Sequence, residues 1–342
     1  MAGIAVVAAA LAAALLPVPY VVLSPGPTLN TLGKTPDGKP LIQIAGHPVS
    51  RTSGNLNMVT VDYQGGPGNE INIFTALRAW LAPHDAVVPQ QEIFGTNQSV
   101  QQVQQQDVVQ MTNSQQNATA AALTVLHIRF QTFVQVAATE QGMPASQVLR
   151  AGDVITAVDG VPIDLATVGT QIRSHPAGSL LRLTVRRNGK TMQLKVRSVK
   201  APGPNGKPEP QIGVQITPQY KFPFDVKFSV GAIGGPSAGM MFALGIIDKL
   251  GHMDLTGGRF IAGTGALGSP DPNAAVQPIG GIQQKMAGAR AEGATVFLSP
   301  AANCSDALSA RPAGMKLIKV STLSGAVRDL EALKAGHQVP AC

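Results

Sequence analysis

Apolar residues fill positions 2–23 almost without interruption, ending in Leu15-Leu16-Pro17-Val18-Pro19-Tyr20-Val21-Val22-Leu23, and the first 33 residues carry no charged side chain. As a helix, that run would rise about 33 Å, enough to cross a bilayer. Pro17 and Pro19 shorten the helical stretch, so a cleaved signal peptide is the competing reading. We read 1–23 as an uncleaved anchor. No Lys or Arg precedes it to set its orientation. Beyond it the periods are short. Alternation in "LNMVTVDY" predicts strands within 41–63, and Ile73, Leu77, Trp80 and Leu81 predict a helix over 71–83 that stops before Pro83. Residues 98–116 hold nine glutamines, but Val100, Val103 and Met111 among them predict a surface helix, continued by "ATAAALTVL" at 118–126. "DVITAV" (153–158) predicts a strand closed by the turn Asp159-Gly160, "DLATVGTQIRSH" (164–175) a helix, and 180–199 a hairpin around Asn188-Gly189. "APGPNGKPEP" (201–210) has linker composition. Two strand-like stretches within 211–232 then lead through "GGPSAG" (234–239) into a helix reaching Lys249, with Gly251 suited to follow its end. A further helix spans 282–292, ended by Gly293, before the buried strand "TVFLSP".

A chain of 342 residues accommodates two or three domains, and 44% apolar residues suffice for ordinary cores. Aromatics at 4%, with 37 Gly and 26 Pro, favour compact β-containing units with many turns. The net charge of +7 suits nucleic acid, anionic lipid or an acidic envelope. No Cys/His finger or aromatic ribonucleoprotein pattern is present, and the basic residues of 182–200 alternate with apolar ones as on a solvated strand face, so no nucleic-acid partner is expected. Cys304 and Cys342 would pair in an exported protein or stay free otherwise, and lack metal-site spacing. No Gly-x4-Gly-Lys-[Ser/Thr] loop and no His-Glu-x-x-His occurs, so neither ATP hydrolysis nor metalloprotease chemistry is expected, and no cofactor.

"GGPSAG" sets Ser237 between a strand and a helix N-terminus, where free N–H groups and the helix dipole favour developing negative charge. The same residues would also build a plain turn and cap. If Ser237 is a nucleophile, two partners compete. Asp306 and His337 follow it in the order of an α/β-hydrolase esterase or peptidase, but no HGGG-type motif precedes it, and His252 lies too near the serine's own helix. Lys285 lies in the first turn of the 282–292 helix, where the dipole disfavours a cation. To act as a base it must fall from about 10.4 to roughly 7–8, about 3–5 kcal/mol against the charged form, and burial would supply most of that.

Segment 127–200, with Leu149, Gly152-Asp153, Ile155, Val158 and Asp159-Gly160, resembles a PDZ domain of the bacterial protease-associated type. That resemblance implies peptide capture by strand addition. The family's glycine-containing carboxylate loop is expected near 123–131, where the chain reads "LTVLHIRFQ" without glycine, so a purely structural role competes. "GGPSAG", "IAGTGALG" (261–268) and "QPIGGIQQKMAGARAEGATVFLSP" (277–300), in that order, resemble the proteolytic domain of Lon-type serine proteases over about 211–335. The whole chain is similar to membrane-anchored, PDZ-containing Lon-like proteases of bacteria. The resemblance implies an ATP-independent endopeptidase with Ser237 as nucleophile, Lys285 as general base and Thr264 positioning the lysine. Gly235, Pro236 and Ala238 would shape the turn, its N–H groups serving as oxyanion donors. Gly234 stands where many Lon enzymes have Asp, and Ala266 where they have Glu. The implied fold is α+β: a transmembrane anchor (1–23), a mixed β-rich N-terminal region (24–126), a PDZ domain (127–200), a linker (201–210) and a Lon-type α/β proteolytic domain (211–338). The implied setting is a cell membrane crossed once, with the catalytic domain outside the cytoplasm, acting on extended or locally unfolded proteins; a homo-oligomeric ring follows by analogy. A catalytically inactive PDZ scaffold is the non-enzymatic alternative.

Overall fold

The computed structural model describes residues 16–95, 98–203 and 206–342. In chain order, it begins with β1 (Pro17–Val18), β2 (Tyr20–Asn30), β3 (Ile42–Ala45), β4 (Asn55–Gly65) and β5 (Ile71–Asn72). There follow α1 (Ile73–Leu81), β6 (Ala86–Pro89), α2 (Gln90–Phe94) and the long α3 (Val100–Val125). The middle holds β7 (Gln131–Thr139), β8 (Val154–Val158), β9 (Val161–Pro162), α4 (Val168–Arg173), β10 (Leu180–Arg187), β11 (Lys190–Arg197), β12 (Val199–Pro202), β13 (Pro208–Gln211) and β14 (Val214–Lys221). The last third holds β15 (Asp225–Phe228), α5 (Gly239–Gly251), β16 (Phe260–Gly263), α6 (Ile282–Ala291), β17 (Val296–Pro300), α7 (Cys304–Ser309), β18 (Lys316–Val320) and α8 (Leu323–Lys334).

These elements form two compact units. The larger is discontinuous, Met1–Ile128 with Phe224–Cys342, and the second, Arg129–Pro223, is inserted within it. The larger unit is built on a six-stranded sheet in the order β18-β17-β16-β4-β2-β6. Strands β18, β17, β16 and β4 run parallel, and β2 is antiparallel to both its neighbours. Helix α6 covers one face, where Ile282, Met286 and Ala289 pack with Val59, Ala262 and Phe297. Helix α5 lies on the other face: a Cβ on Gly263 would stand 2.8 Å from Met241 Sδ.

This arrangement corrects the expected fold class twice. First, residues 17–18 and 20–23 of the expected membrane anchor are strand: Pro17–Val18 pairs with β5, and Val21 and Val22 of β2 are buried between β4 and β6. Pro17 and Pro19 hold φ in a strand-compatible range and remove helix donors, while β-branched valines suit a pleated surface. The remainder of the anchor, 1–15, lies outside the described residues. Among the described residues no helix is long and apolar enough to cross a membrane, which overturns the single-pass membrane location as well. Second, no self-standing Lon-type domain begins at 211. Strand β14 belongs to the inserted unit, and the larger unit's sheet takes β2, β4 and β6 from residues 20–89.

The inserted unit is an antiparallel sheet in the order β11-β10-β8-β7-β14, with β9 alongside β8. Its core gathers Val134, Val136, Leu149, Ile155, Val158, Ile172, Leu181 and Leu183 under α4. Asn188 (φ 50°) and Gly189 (φ 78°) make the tight β10–β11 turn, the left-handed pair that matches strand twist. Where the sequence has linker composition, β12 and β13 pair antiparallel.

Cys304, at the start of α7, is bonded to Cys342, 38 positions on, while Lys319 N–H donates to Pro340 O and draws the C-terminus along β18. Closing a loop of that length is worth about 4 kcal/mol in the chain-entropy model. Cys304→Ser/Cys342→Ser should therefore lose about 2–4 kcal/mol, read as a lower guanidinium midpoint; an unchanged midpoint would show that the bond contributes nothing.

Candidate active site

The turn 234–238 is fixed from two sides. On one side, helix α3 lies close enough that a Cβ on Gly234 would meet Asp107 Cβ at 2.6 Å. Gly235, left-handed at φ 82°, donates its N–H to Asp107 O (3.0 Å), and Ser114 Oγ donates to Pro236 O (3.0 Å). On the other side, the loop after β16 holds Ser237: its carbonyl accepts from Gly265 N–H (2.8 Å) and from Thr264 Oγ1 (3.0 Å). Gly265 O in turn accepts Met240 N–H (2.9 Å) in the first turn of α5. Ser237 is partly buried and sits two residues before α5.

Lys285 enters from α6. Gly281 (φ 66°) caps that helix, and its carbonyl accepts Lys285 N–H (3.0 Å). The side chain is 5% exposed, and no carboxylate among the described residues forms an ion pair with it. Its Nζ donates to Thr264 Oγ1 at 3.5 Å. Burial lowers the amine from 10.5 to about 8. The position in the first turn of α6 acts in the same sense, because a helix N-terminus disfavours a cation. Thr264, itself buried, thus spends its proton on Ser237 O and presents its oxygen to the lysine.

Ser237, Thr264 and Lys285 therefore come together, with Gly235, Pro236 and Ala238 forming the turn beside them. Gly235 N–H is engaged by Asp107 O and Pro236 has none. The structure does not bring Asp306 and His337 to the serine. Both are exposed, Asp306 in the first turn of α7 and His337 after α8, and no hydrogen bond or ion pair joins either to Ser237. His252 ends α5 in a left-handed conformation (φ 56°) with its ring on Ser50 Oγ, the whole helix away from Ser237. Among the described residues no group of three or more His, Cys, Asp or Glu could hold a metal ion.

Sequence reasoning missed the part played by α3. Its buried face, with Val103, Met111, Ser114 and Ala118, runs at helical spacing through the glutamine tract, and the small residues let it approach the serine turn. It also missed the inserted unit's glycine. Gly213 (φ 74°) follows Ile212, whose carbonyl accepts Ala145 N–H (2.8 Å), and leads directly into β14. Strand β14 ends its sheet, so its outer edge has no strand partner within the unit. A glycine turn feeding an open edge is a geometry that accepts an added peptide strand. The signal was "QIGV" at 211–214, on the far side of the segment searched for it.

The family model described as PDZ domain matches residues 101–197, so a PDZ domain is present. One curated relative, a Serine protease Do-like HtrA of Lactobacillus helveticus, is 38% identical over 60 residues, 17% of this chain. The match spans only 14% of that relative's length. Among solved structures, the PDZ domain of an SdrC-like protein from Listeria monocytogenes is similar at 27% identity, covering 25% of this chain and 86% of that one, with a TM-score of 0.22. Its counterpart from Listeria innocua matches at 25% identity, covering 25% of this chain and 92% of that one, again at 0.22.

Proposed function

We propose that the protein is a serine peptidase that cleaves peptide bonds without ATP, through Ser237 and Lys285. The observation that carries this reading is the buried, unpaired Lys285, whose amine shares the Thr264 hydroxyl with the Ser237 backbone. In its neutral form Lys285 has one lone pair. With one N–H committed to Thr264 Oγ1, that lone pair is free to take the Ser237 proton. Ser237 Oγ then attacks the peptide carbonyl carbon to form a tetrahedral adduct. The N–H groups of Ser237 and Ala238, at the head of α5, are the donors left for its oxyanion. Lys285, now an ammonium, protonates the leaving amine, and in its neutral form again activates water against the acyl-enzyme. The motif order around Ser237, Thr264 and Lys285, with its resemblance to Lon-type proteases, supports the same assignment, and the partial match to a serine protease supports the broader peptidase reading. The PDZ unit would capture extended or unfolded protein segments along β14.

The test is labelling of the purified full chain by a fluorophosphonate probe, run beside cleavage of an unfolded protein substrate. Wild type should label and cleave, and Ser237→Ala should do neither. Absence of label in a folded wild-type protein that still binds peptides would instead establish a binding scaffold.

A further inference from the structure

The carboxylate that the structure sets against the serine turn belongs to Asp107, on α3. Its Cβ lies against Gly234, where any side chain at 234 would collide with it, and its backbone carbonyl holds Gly235 N–H. The carboxylate is half-buried, and no hydrogen bond or ion pair among the described residues engages it, although the chain carries 26 Lys and Arg. Burial pushes its pKa up, as expected of a charge left partly desolvated without a partner. Tyr63 of β4 lies within reach of its field: burial and then the negative charge of Asp107 push the phenol pKa up. Tyr63 lies on the same side of β4 as Val61, and Val61 touches Gly281, the cap of the helix that delivers Lys285. Strand β16 stops opposite Met58, so the second half of β4, from Val59 to Gly65, runs past it. Asp107 thus borders the serine turn from one side, and Lys285 reaches it through Thr264 from the other.

We propose that Asp107 forms a substrate subsite selecting a basic side chain near the scissile bond. The inference rests on the peptidase reading above. A substrate lysine or arginine would supply the missing partner of a partly desolvated carboxylate, through a charge-assisted hydrogen bond.

The experiment scans Lys, norleucine and Glu through the positions flanking the scissile bond of a fluorogenic peptide. At one position, kcat/KM should favour Lys over norleucine by about tenfold and disfavour Glu. Asp107→Asn should collapse the Lys-to-norleucine ratio towards one, and Asp107→Lys should favour Glu. The ratio is an internal control against partial misfolding. In wild type, the same ratio should fall as salt rises. A wild type that cleaves all three alike, or an unchanged ratio in Asp107→Asn, overturns the subsite while leaving the peptidase intact. A wild type that cleaves none overturns both.

Discussion

Lys285→Arg should leave Ser237 unacylated, cutting kcat/KM on the order of a thousandfold or more, because a guanidinium does not lose a proton at usable pH. In the wild type, kcat/KM should rise with pH and level off above about 8, where the buried amine is neutral. Stability should rise with pH as well, in a higher window. Lowering this amine from 10.5 to about 8 corresponds to roughly 3 kcal/mol of disfavoured charge. Below pH 8 the lysine is protonated both folded and unfolded, so the burial penalty is fully present. Between about 8 and 10.5 the unfolded chain binds the extra proton, and stability rises with pH until the penalty is gone. Lys285→Met should therefore abolish activity, gain stability at pH 7 and lose that alkaline rise. Urea midpoints at pH 7 and pH 10 test this, and a Met variant less stable than wild type at pH 7 would show the lysine to be a structural contact rather than a strained base.

Loss of Arg187 should unfold the PDZ unit while leaving the larger unit's core protected. Asp153, 1% exposed, receives two bonds of 2.6 Å from the Arg187 guanidinium, which also donates to Val148 O. Removing the cation strands a buried carboxylate, and Arg187→Met should lose about 3–5 kcal/mol. Hydrogen exchange confined to β7–β14 reads the loss. The pH dependence should change sign. Arg187 holds the Asp153 carboxyl below its usual range, so the wild-type contribution is present above about pH 4 and lost as pH falls further. In the Met variant the unpaired carboxyl is pushed up by burial, and acid relieves it. Asp153→Asn/Arg187→Met should recover part of the loss; no recovery would point to packing of the arginine stem instead.

How much of this was legible follows from what each signal encodes. Ser237 and Lys285 stood out because glycine-rich turns before helices leave strong local marks. The N-terminal strands did not, since a continuous apolar run reads alike for a membrane helix and for a strand buried on both faces. Pro17, Pro19 and the paired valines at 21–22 were the discriminating residues. Asp107 was hidden because its neighbours are glutamines and its importance is purely spatial: it meets Gly234 across a long stretch of chain. Gly213 was hidden by chain order, lying after the PDZ core instead of before it. The Asp153-Arg187 bond was invisible because the glycine–aspartate motif shows only one of its partners.

The insertion of the PDZ unit has a consequence in time. A chain made from its N-terminus completes β2, β4 and α3 well before β16, α5 and α6 exist to cover them. The inserted unit has its first and last strands paired, Gln131 beside Lys221, so it can close as soon as residue 221 has emerged. The nascent chain therefore carries a finished PDZ unit attached to an unfinished sheet, and the buried lysine meets its threonine only in the last third of synthesis. A chain cut short before residue 285 would hold a closed PDZ unit and lack the lysine that the serine turn awaits.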